Sequence, residues 1–316
     1  MSVIDVDRLT KDYGSGRGVF DVSFSVQKGE VFGFLGPNGA GKSTTIRHLM
    51  GFSKPQTGHT KIFEKETFDK YFEILRKVGY IPGEIALPAG LTGWEFIRMM
   101  QNLQHTHNEA QLKHMLELFE LNPEGETKRM SLGVKRKLAI VTAFMSDPDV
   151  LILDEPTSGL DPVMQEVFVS FIKEEKQRGK TILLSSHIFS EVDATCDRIA
   201  IIKDGRLVDT FVADDLKHAS QKRYMLSLQD SASYERFMKQ AKELQAKANA
   251  ILTLEEQNCI AERQTAVFVT DDKNINEVIA LLSEFAVTDF RHLKETLEDY
   301  FMRYYKEDKD FGGALQ

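Results

Sequence analysis

Cysteine is scarce in this chain. Cys196 and Cys259 are its only two, too few and too irregularly spaced for a disulfide framework or a zinc site, so a reducing compartment is the simpler reading and both thiols read as inert. Long apolar runs are missing too. None reaches the roughly 18 residues that a membrane-crossing helix needs, and Met1-Ser2-Val3-Ile4-Asp5 lacks the basic-then-apolar order of a secretory leader. The expectation is a chain that neither spans a membrane nor is secreted and that reaches a membrane only through a partner. Positive charge is in deficit, with 40 Lys and Arg against 48 Asp and Glu, a net charge of −8. That balance argues against a protein whose main work is gripping nucleic acid, which usually needs a broad basic face, so no nucleic-acid partner is expected. What remains is a length of 316 residues and a 42% hydrophobic content, enough for two domains with a sizeable core.

The chain is organised around Gly36-Pro37-Asn38-Gly39-Ala40-Gly41-Lys42-Ser43-Thr44, which fits the phosphate-loop pattern G-x-x-x-x-G-K-[ST]. Its glycines let successive backbone amides converge on one anion, and a helix start that follows adds its positive end. Lys42 supplies a mobile charge for the β- and γ-phosphates of a nucleotide, and the Ser43 hydroxyl is placed to ligate Mg²⁺. The context agrees. Val31 to Leu35 reads as a buried strand, and Ile46, Leu49 and Met50 repeat at helical spacing.

In chain order, residues 3 to 8 and Phe20 to Val26 alternate as half-exposed antiparallel strands. The loop between them carries Tyr13, for which two readings stand: an aromatic that stacks on a base, or a surface turn residue. Val78 to Ile81, Val150 to Leu153, Thr181 to Leu184 and Ile199 to Ile202 suit strands buried on both faces, separated mostly by helices. Residues 84 to 146 form an inserted helical lobe, with Trp94 to Met100 and Leu112 to Phe119 at helical spacing. The expected division is a phosphate-loop domain over 1 to 215 and a smaller α+β accessory domain over 216 to 316. In the latter, strands are expected at 224 to 228, 250 to 254 and 266 to 270, and helices near 232 to 242, 274 to 285 and 293 to 305. It shows no catalytic constellation.

Val150 to Leu153 ends in Asp154-Glu155, and the carboxyl end of a strand is where α/β sheets place ligands. Asp154 is placed to hold the Mg²⁺ that Ser43 holds from the other side. Glu155 is then free to orient or deprotonate a water aimed at the γ-phosphate.

Together, the loop 36 to 44, Ser131-Leu132-Gly133, the run from Asp154 to Asp161 and His187, in that order, resemble the ATPase subunit of ABC transporters over about residues 2 to 212. The resemblance implies an α/β fold: a P-loop NTPase core of mostly parallel sheet with an antiparallel β edge and the helical lobe. It implies that Tyr13 stacks on adenine, that Asp161 acts across a dimer interface and that His187 contacts the γ-phosphate. It also implies that Ser131 and Gly133 of one chain close over ATP held by Lys42 of another. Two departures stand out. Met130-Ser131-Leu132-Gly133-Val134 replaces the usual Leu-Ser-Gly-Gly-Gln, and Tyr80-Ile81-Pro82 is followed by Gly83 where the family has glutamine. Glu84, one position later, either takes over the metal or water contact or is a loop acid. Thr296 to Phe301 looks like the Leu-Glu-Asp-x-Phe close of drug, antibiotic and peptide exporters, and reads equally as an amphipathic helix packed on its own domain.

The function so implied is an ATP-hydrolysing subunit, with ATP and Mg²⁺, that pairs with a like or identical ATPase chain. It drives a separate transmembrane permease, on the export side, from the cytoplasmic face of the membrane. Two rivals from other classes remain. A nucleoside or small-molecule kinase needs an acceptor pocket and no Glu155 beside the metal acid. A soluble ATPase acting on nucleic acid or ribosomes usually carries coiled-coil insertions or tandem halves, and this chain has neither.

Overall fold

The computed structural model describes residues 1–217, 221–247, 249–293 and 296–306. It divides into two units, Met1–Ala213 and Asp214–Gln316.

The first unit opens with β1 (Ser2–Asp12) and β2 (Gly18–Gln27), then β3 (Val31–Leu35), α1 (Lys42–Leu49), β4 (Thr57–Ile62), β5 (Lys65–Glu66), α2 (Thr67–Leu75) and β6 (Val78–Ile81). Next come α3 (Gly93–Gln104), α4 (Glu109–Leu118), α5 (Leu132–Phe144), β7 (Val150–Asp154), α6 (Pro162–Gln177), β8 (Thr181–Ser186), α7 (Phe189–Thr195), β9 (Arg198–Lys203) and β10 (Arg206–Val212). Six strands form one sheet in the order β10-β9-β3-β8-β7-β6. Its pairings are parallel except for β10, which lies antiparallel on β9. The alternating N-terminal strands make a sheet of their own, β2-β1-β4-β5, all antiparallel. The antiparallel part is therefore a second layer, while β10 is the antiparallel edge of the parallel sheet.

Side-chain pattern explains both sheets. All five residues of β3 and of β7 are buried, as continuous apolar runs require when both faces are covered. On β1 and β2 inward residues alternate with outward ones except where the register shifts between Val6 and Leu9, and Ile4 meets Val26 and Val6 meets Phe24 across the pair. Phe24 then stacks on Phe32 of β3 with ring centroids 5.1 Å apart. A core of Ile4, Leu9, Phe32, Phe34, Ile46, Ile152, Leu183 and their neighbours fills the space between the two sheets and α1. At about 1.5–3 kcal/mol for each fully buried large apolar side chain, this layer fixes the carboxyl ends of β3, β8 and β7 side by side.

The lobe is only partly separate from this core. α3 begins with a reciprocal cap between Thr92 and Glu95, but every residue of α5 from Leu138 to Phe144 is buried. The helix starts in the lobe and ends packed against the sheet, near β6.

The short helix α8 (Ala213–Lys217) begins on the last residue of the first unit, and the second unit continues with β11 (Gln221–Leu228), α9 (Ser231–Gln245), β12 (Thr253–Leu254), β13 (Thr265–Asp271), α10 (Ile275–Leu282), β14 (Val287–Leu293) and α11 (Leu297–Lys306). Its antiparallel sheet runs β12-β13-β11-β14, which with α9 and α10 between strands is a split βαβ arrangement. Phe237, Phe268, Val278 and Leu282 lie in its core. β14 occupies residues for which no strand is expected from the sequence.

Candidate functional site

The phosphate loop leaves β3 and enters α1 through Gly39 at φ +86° and Gly41 at φ +112°, conformations that L side chains rarely adopt. Gly41 is also hemmed in: an added Cβ would lie 2.9 Å from Val19 of β2 and 3.1 Å from Ile202. This contact holds the loop beside the β1–β2 hairpin that carries Tyr13. Beyond Gly39 an added Cβ would meet nothing, so the cradle is open on that side. α1 has no side-chain cap and no acidic residue in its first turn, and the first amides of any helix lack intrahelical acceptors. Those donors are offered to an anion.

Lys42 is buried. Its Nζ donates to Gly36 O at 2.5 Å and Pro37 O at 3.2 Å, and lies 3.0 Å from Glu155 Oε1. The approach to Glu155 is that of an ion pair outside hydrogen-bond angles, since Oε1 has no hydrogen-bond donor of its own. The other carboxylate oxygen, Oε2, accepts from His187 Nδ1 at 2.5 Å. This bond places a proton on Nδ1 of His187 and leaves Nε2 to face outward chemistry. Glu155 itself has φ +50°, left-handed for a residue other than glycine, at the point where β7 stops. Such a conformation costs about 1–3 kcal/mol and recurs at functional sites. Here it accompanies a carboxylate turned to meet both Lys42 and His187.

Asp154 is 2% exposed and accepts a hydrogen bond from Ser185 Oγ of β8. Its other oxygen faces the turn after β6, where an added Cβ on Gly83 would come within 2.9 Å of Oδ2. Residue 83 is thus the position that abuts this carboxylate, and as glycine it brings no ligand. Glu84 is exposed. Ser43 is exposed at the mouth of the loop, and Tyr13 presents a 56% exposed ring with Lys11 Nζ 5.8 Å from its centroid.

The remaining assigned residues form a second group. Ser131 caps α5, its Oγ accepting from Val134 N at 3.3 Å, and Asp161 caps α6 through Met164 N at 3.0 Å. They are neighbours: Gly133 lies against Gly159 O, and Leu132 packs where a side chain on Gly159 would go.

Two residues with central positions carry no sequence motif. Arg136 is 2% exposed and donates to Ser158 O at 2.9 Å, Pro82 O at 2.8 Å and Gly83 O at 2.7 Å, tying together the loops that follow β6 and β7. Glu191 of α7 is buried and accepts from Ser186 Oγ at 2.5 Å on Oε2, while its Oε1 has no hydrogen-bond partner. Burial first, and the charge of Glu155 as well, push its carboxyl up to about 7, while the Ser186 hydrogen bond opposes the rise. In the unfolded chain the group ionises near its ordinary value of 4.5. Its stabilising contribution is therefore whole below that pH and lost as pH rises through about 7. Glu191→Gln should flatten the stability profile between these limits by roughly 3 kcal/mol, read from urea midpoints across the range; an unchanged slope would refute the assignment.

Hard oxygen donors, a buried ammonium and a glycine cradle are the donor set that Mg²⁺ and a polyphosphate require, and the residues present fit both. Comparison with known proteins gives the family. Residues 19–158 match the family model described as ABC transporter. The bacitracin transport ATP-binding protein BcrA of Bacillus licheniformis is 38% identical over 237 residues, covering 72% of this chain and 76% of that protein. The uncharacterized ABC transporter ATP-binding protein YhcH of Bacillus subtilis (strain 168) is 29% identical over 315 residues, 98% of either chain. Among solved structures, one titled as the ATP binding subunit of an ABC transporter superposes with a TM-score of 0.63 at 32% identity, covering 68% of this chain and 92% of the other.

Proposed function

We propose that this chain, which belongs to the ATP-binding proteins of ABC transporters, hydrolyses ATP with the Lys42–Glu155–His187 constellation and powers a separate transmembrane exporter subunit. The observation that carries the proposal is the line of contacts at the carboxyl ends of β3, β7 and β8, where Lys42 and His187 hold the two oxygens of Glu155 beside Asp154. Amides of residues 36 to 44 and the Lys42 ammonium bind the phosphates, and Tyr13 stacks on the base. Ser43 and Asp154 hold Mg²⁺, which supplies positive charge against the phosphate oxygens; no ligand role falls to Glu84 unless the exposed loop turns inward. His187 orients Glu155 through Nδ1–H, and Glu155 takes the proton of a water aimed at the γ-phosphate. Ser131, Gly133 and Asp161 stand apart from this constellation, and in a pair of chains they complete the partner's site.

Among the described residues no helix is long and apolar enough to cross a membrane, and the membrane contact we propose is borrowed from the permease. α2 supports it. Phe68, Tyr71 and Phe72 on this helix and Phe52 before it are exposed, Phe72 by 51%, and Phe52 packs edge-on against Tyr80, 5.9 Å away, just ahead of Gly83. An exposed aromatic patch of this kind marks a protein contact. The subunit then lies on the cytoplasmic face, and a relative named for bacitracin transport favours antibiotic- or peptide-like cargo. The C-terminal unit is its accessory domain. Purification of the tagged chain from detergent extracts should recover a polytopic membrane protein. Phe72→Asp should lower that recovery about tenfold with the ATPase rate of the isolated chain unchanged, and recovery of no membrane protein with the wild-type chain would overturn the reading.

A further inference from the structure

β14 is an edge strand with an internal symmetry. It pairs with β11 on one side, and among the described strands none pairs with the other side. Its residues Val287-Thr288-Asp289-Phe290-Arg291-His292-Leu293 include no proline or lysine, two of the devices that blunt a sheet edge; its charges are the balanced pair Asp289 and Arg291, its one register shift against β11 falls at Thr288, near its start, and none of the seven is fully buried. Place a second copy antiparallel with Phe290 opposite Phe290. Asp289 then faces Arg291 twice, Thr288 faces His292 and Val287 faces Leu293. Centring the pair on Asp289 or Arg291 instead puts like charges opposite each other, and a shift between residues sets Phe290 against a charged group.

The side chains are already arranged for that register. Asp289 and Arg291 share a face and bond to each other, Arg291 Nε donating to Asp289 Oδ2 at 2.7 Å. On the opposite face Phe290 stacks on Tyr224 with centroids 4.9 Å apart and planes at 13°, and Tyr224 in turn on Phe268 at 6.0 Å. This row of rings begins in the core of the C-terminal unit and ends at Phe290, 36% exposed at the edge.

We propose that β14 pairs antiparallel with β14 of a second copy about a two-fold axis at Phe290, joining the two C-terminal sheets into one. The contact is isologous, continues the aromatic row from copy to copy and alternates acid and base around four side chains. It requires no nucleotide, so it stands apart from any ATP-dependent pairing of the first unit. A contact of this size is small and belongs to the weaker class.

The test uses the full chain without nucleotide and with EDTA, in sedimentation equilibrium and native mass spectrometry. Wild type should self-associate as a dimer below about 100 μM. Asp289→Arg and Arg291→Asp should each weaken self-association at least tenfold, because every charge pair then becomes like with like. Mixing these two variants should restore a dimer that contains one of each, within about threefold of wild-type affinity, since each strand then opposes its complement. The double exchange D289R/R291D keeps the acid–base neighbours within the strand and should dimerise as wild type does, which guards against variants that merely misfold. A monomeric wild type, single variants that dimerise normally, or a mixture and a double exchange that fail to associate would each overturn the proposal.

Discussion

Replacing Glu155 with glutamine should cut steady-state ATP turnover about a thousandfold while ATP affinity stays within a few-fold of wild type. Glutamine preserves the shape and one acceptor oxygen, so His187 Nδ1 still has a partner, but the side chain no longer takes a proton. The ion pair with Lys42, 3.0 Å long in the wild-type chain, weakens in the variant, which leaves the ammonium freer for phosphate. Binding is therefore spared, and a complex that cannot turn over accumulates in its ATP-bound form. Lys42→Ala should do the reverse. It removes a buried cation from the cradle and should weaken ATP binding by roughly 10- to 100-fold, with hydrolysis lost as a consequence. Fluorescent-nucleotide titration and single-turnover hydrolysis on both variants separate the roles. Undiminished turnover in Glu155→Gln would remove Glu155 from the chemistry, whatever its contacts.

Arg136→Ala should destabilise the first unit by about 3–5 kcal/mol. The guanidinium is 2% exposed and donates to the backbone carbonyls of Ser158, Pro82 and Gly83. Burial lowers its pKa below the ordinary arginine value, and Asp154 and Glu155 raise it again. Truncation leaves three carbonyls without their donors and a void among α5, β6 and β7. Each lost charge-assisted bond is worth about 1.5–3 kcal/mol, more than local relaxation recovers. Arg136→Lys should rescue only part of this, because an ammonium lacks the planar fork that reaches three carbonyls in different directions. Urea unfolding of the two variants gives the measurement; a loss under about 1 kcal/mol in Arg136→Ala would mean that the carbonyls find water instead.

The contrast between these two residues shows which parts of the site are legible in the amino-acid order. The phosphate loop, Asp154 and Glu155 are local motifs whose spacing carries their chemistry, and the structure brings Lys42, Glu155 and His187 into contact. Arg136 and Glu191 have no such spacing. One sits between Lys135 and Lys137 on a helix and reads as one more solvated cation, the other lies on a short helix after His187, and each becomes central only when loops distant in sequence fold onto it. The left-handed backbone at Glu155 is equally silent in sequence. At the level of elements, the strands buried on both faces announce themselves as continuous apolar runs. β4 (Thr57-Gly58-His59-Thr60-Lys61-Ile62) does not, because it is held by pairing with β1 rather than by its own pattern. β14 is missed for the same reason: an exposed edge strand has no buried face to impose alternation. The family glutamine position illustrates a third case. Sequence shows that Gly83 departs from the pattern, but only its closeness to Asp154 shows that the departure falls at the carboxylate itself.

The strand order has a further consequence, because a sheet is also a ruler. β8 lies between β3 and β7, so the cradle and the acidic pair are held two interstrand spacings apart, about 9.6 Å. That gauge is set by backbone hydrogen bonds and not by any side chain, so point substitutions alter what lines the gap but not its width. Drift in lobe, turn or signature composition, of which this chain has its share, leaves the calibre of the slot untouched.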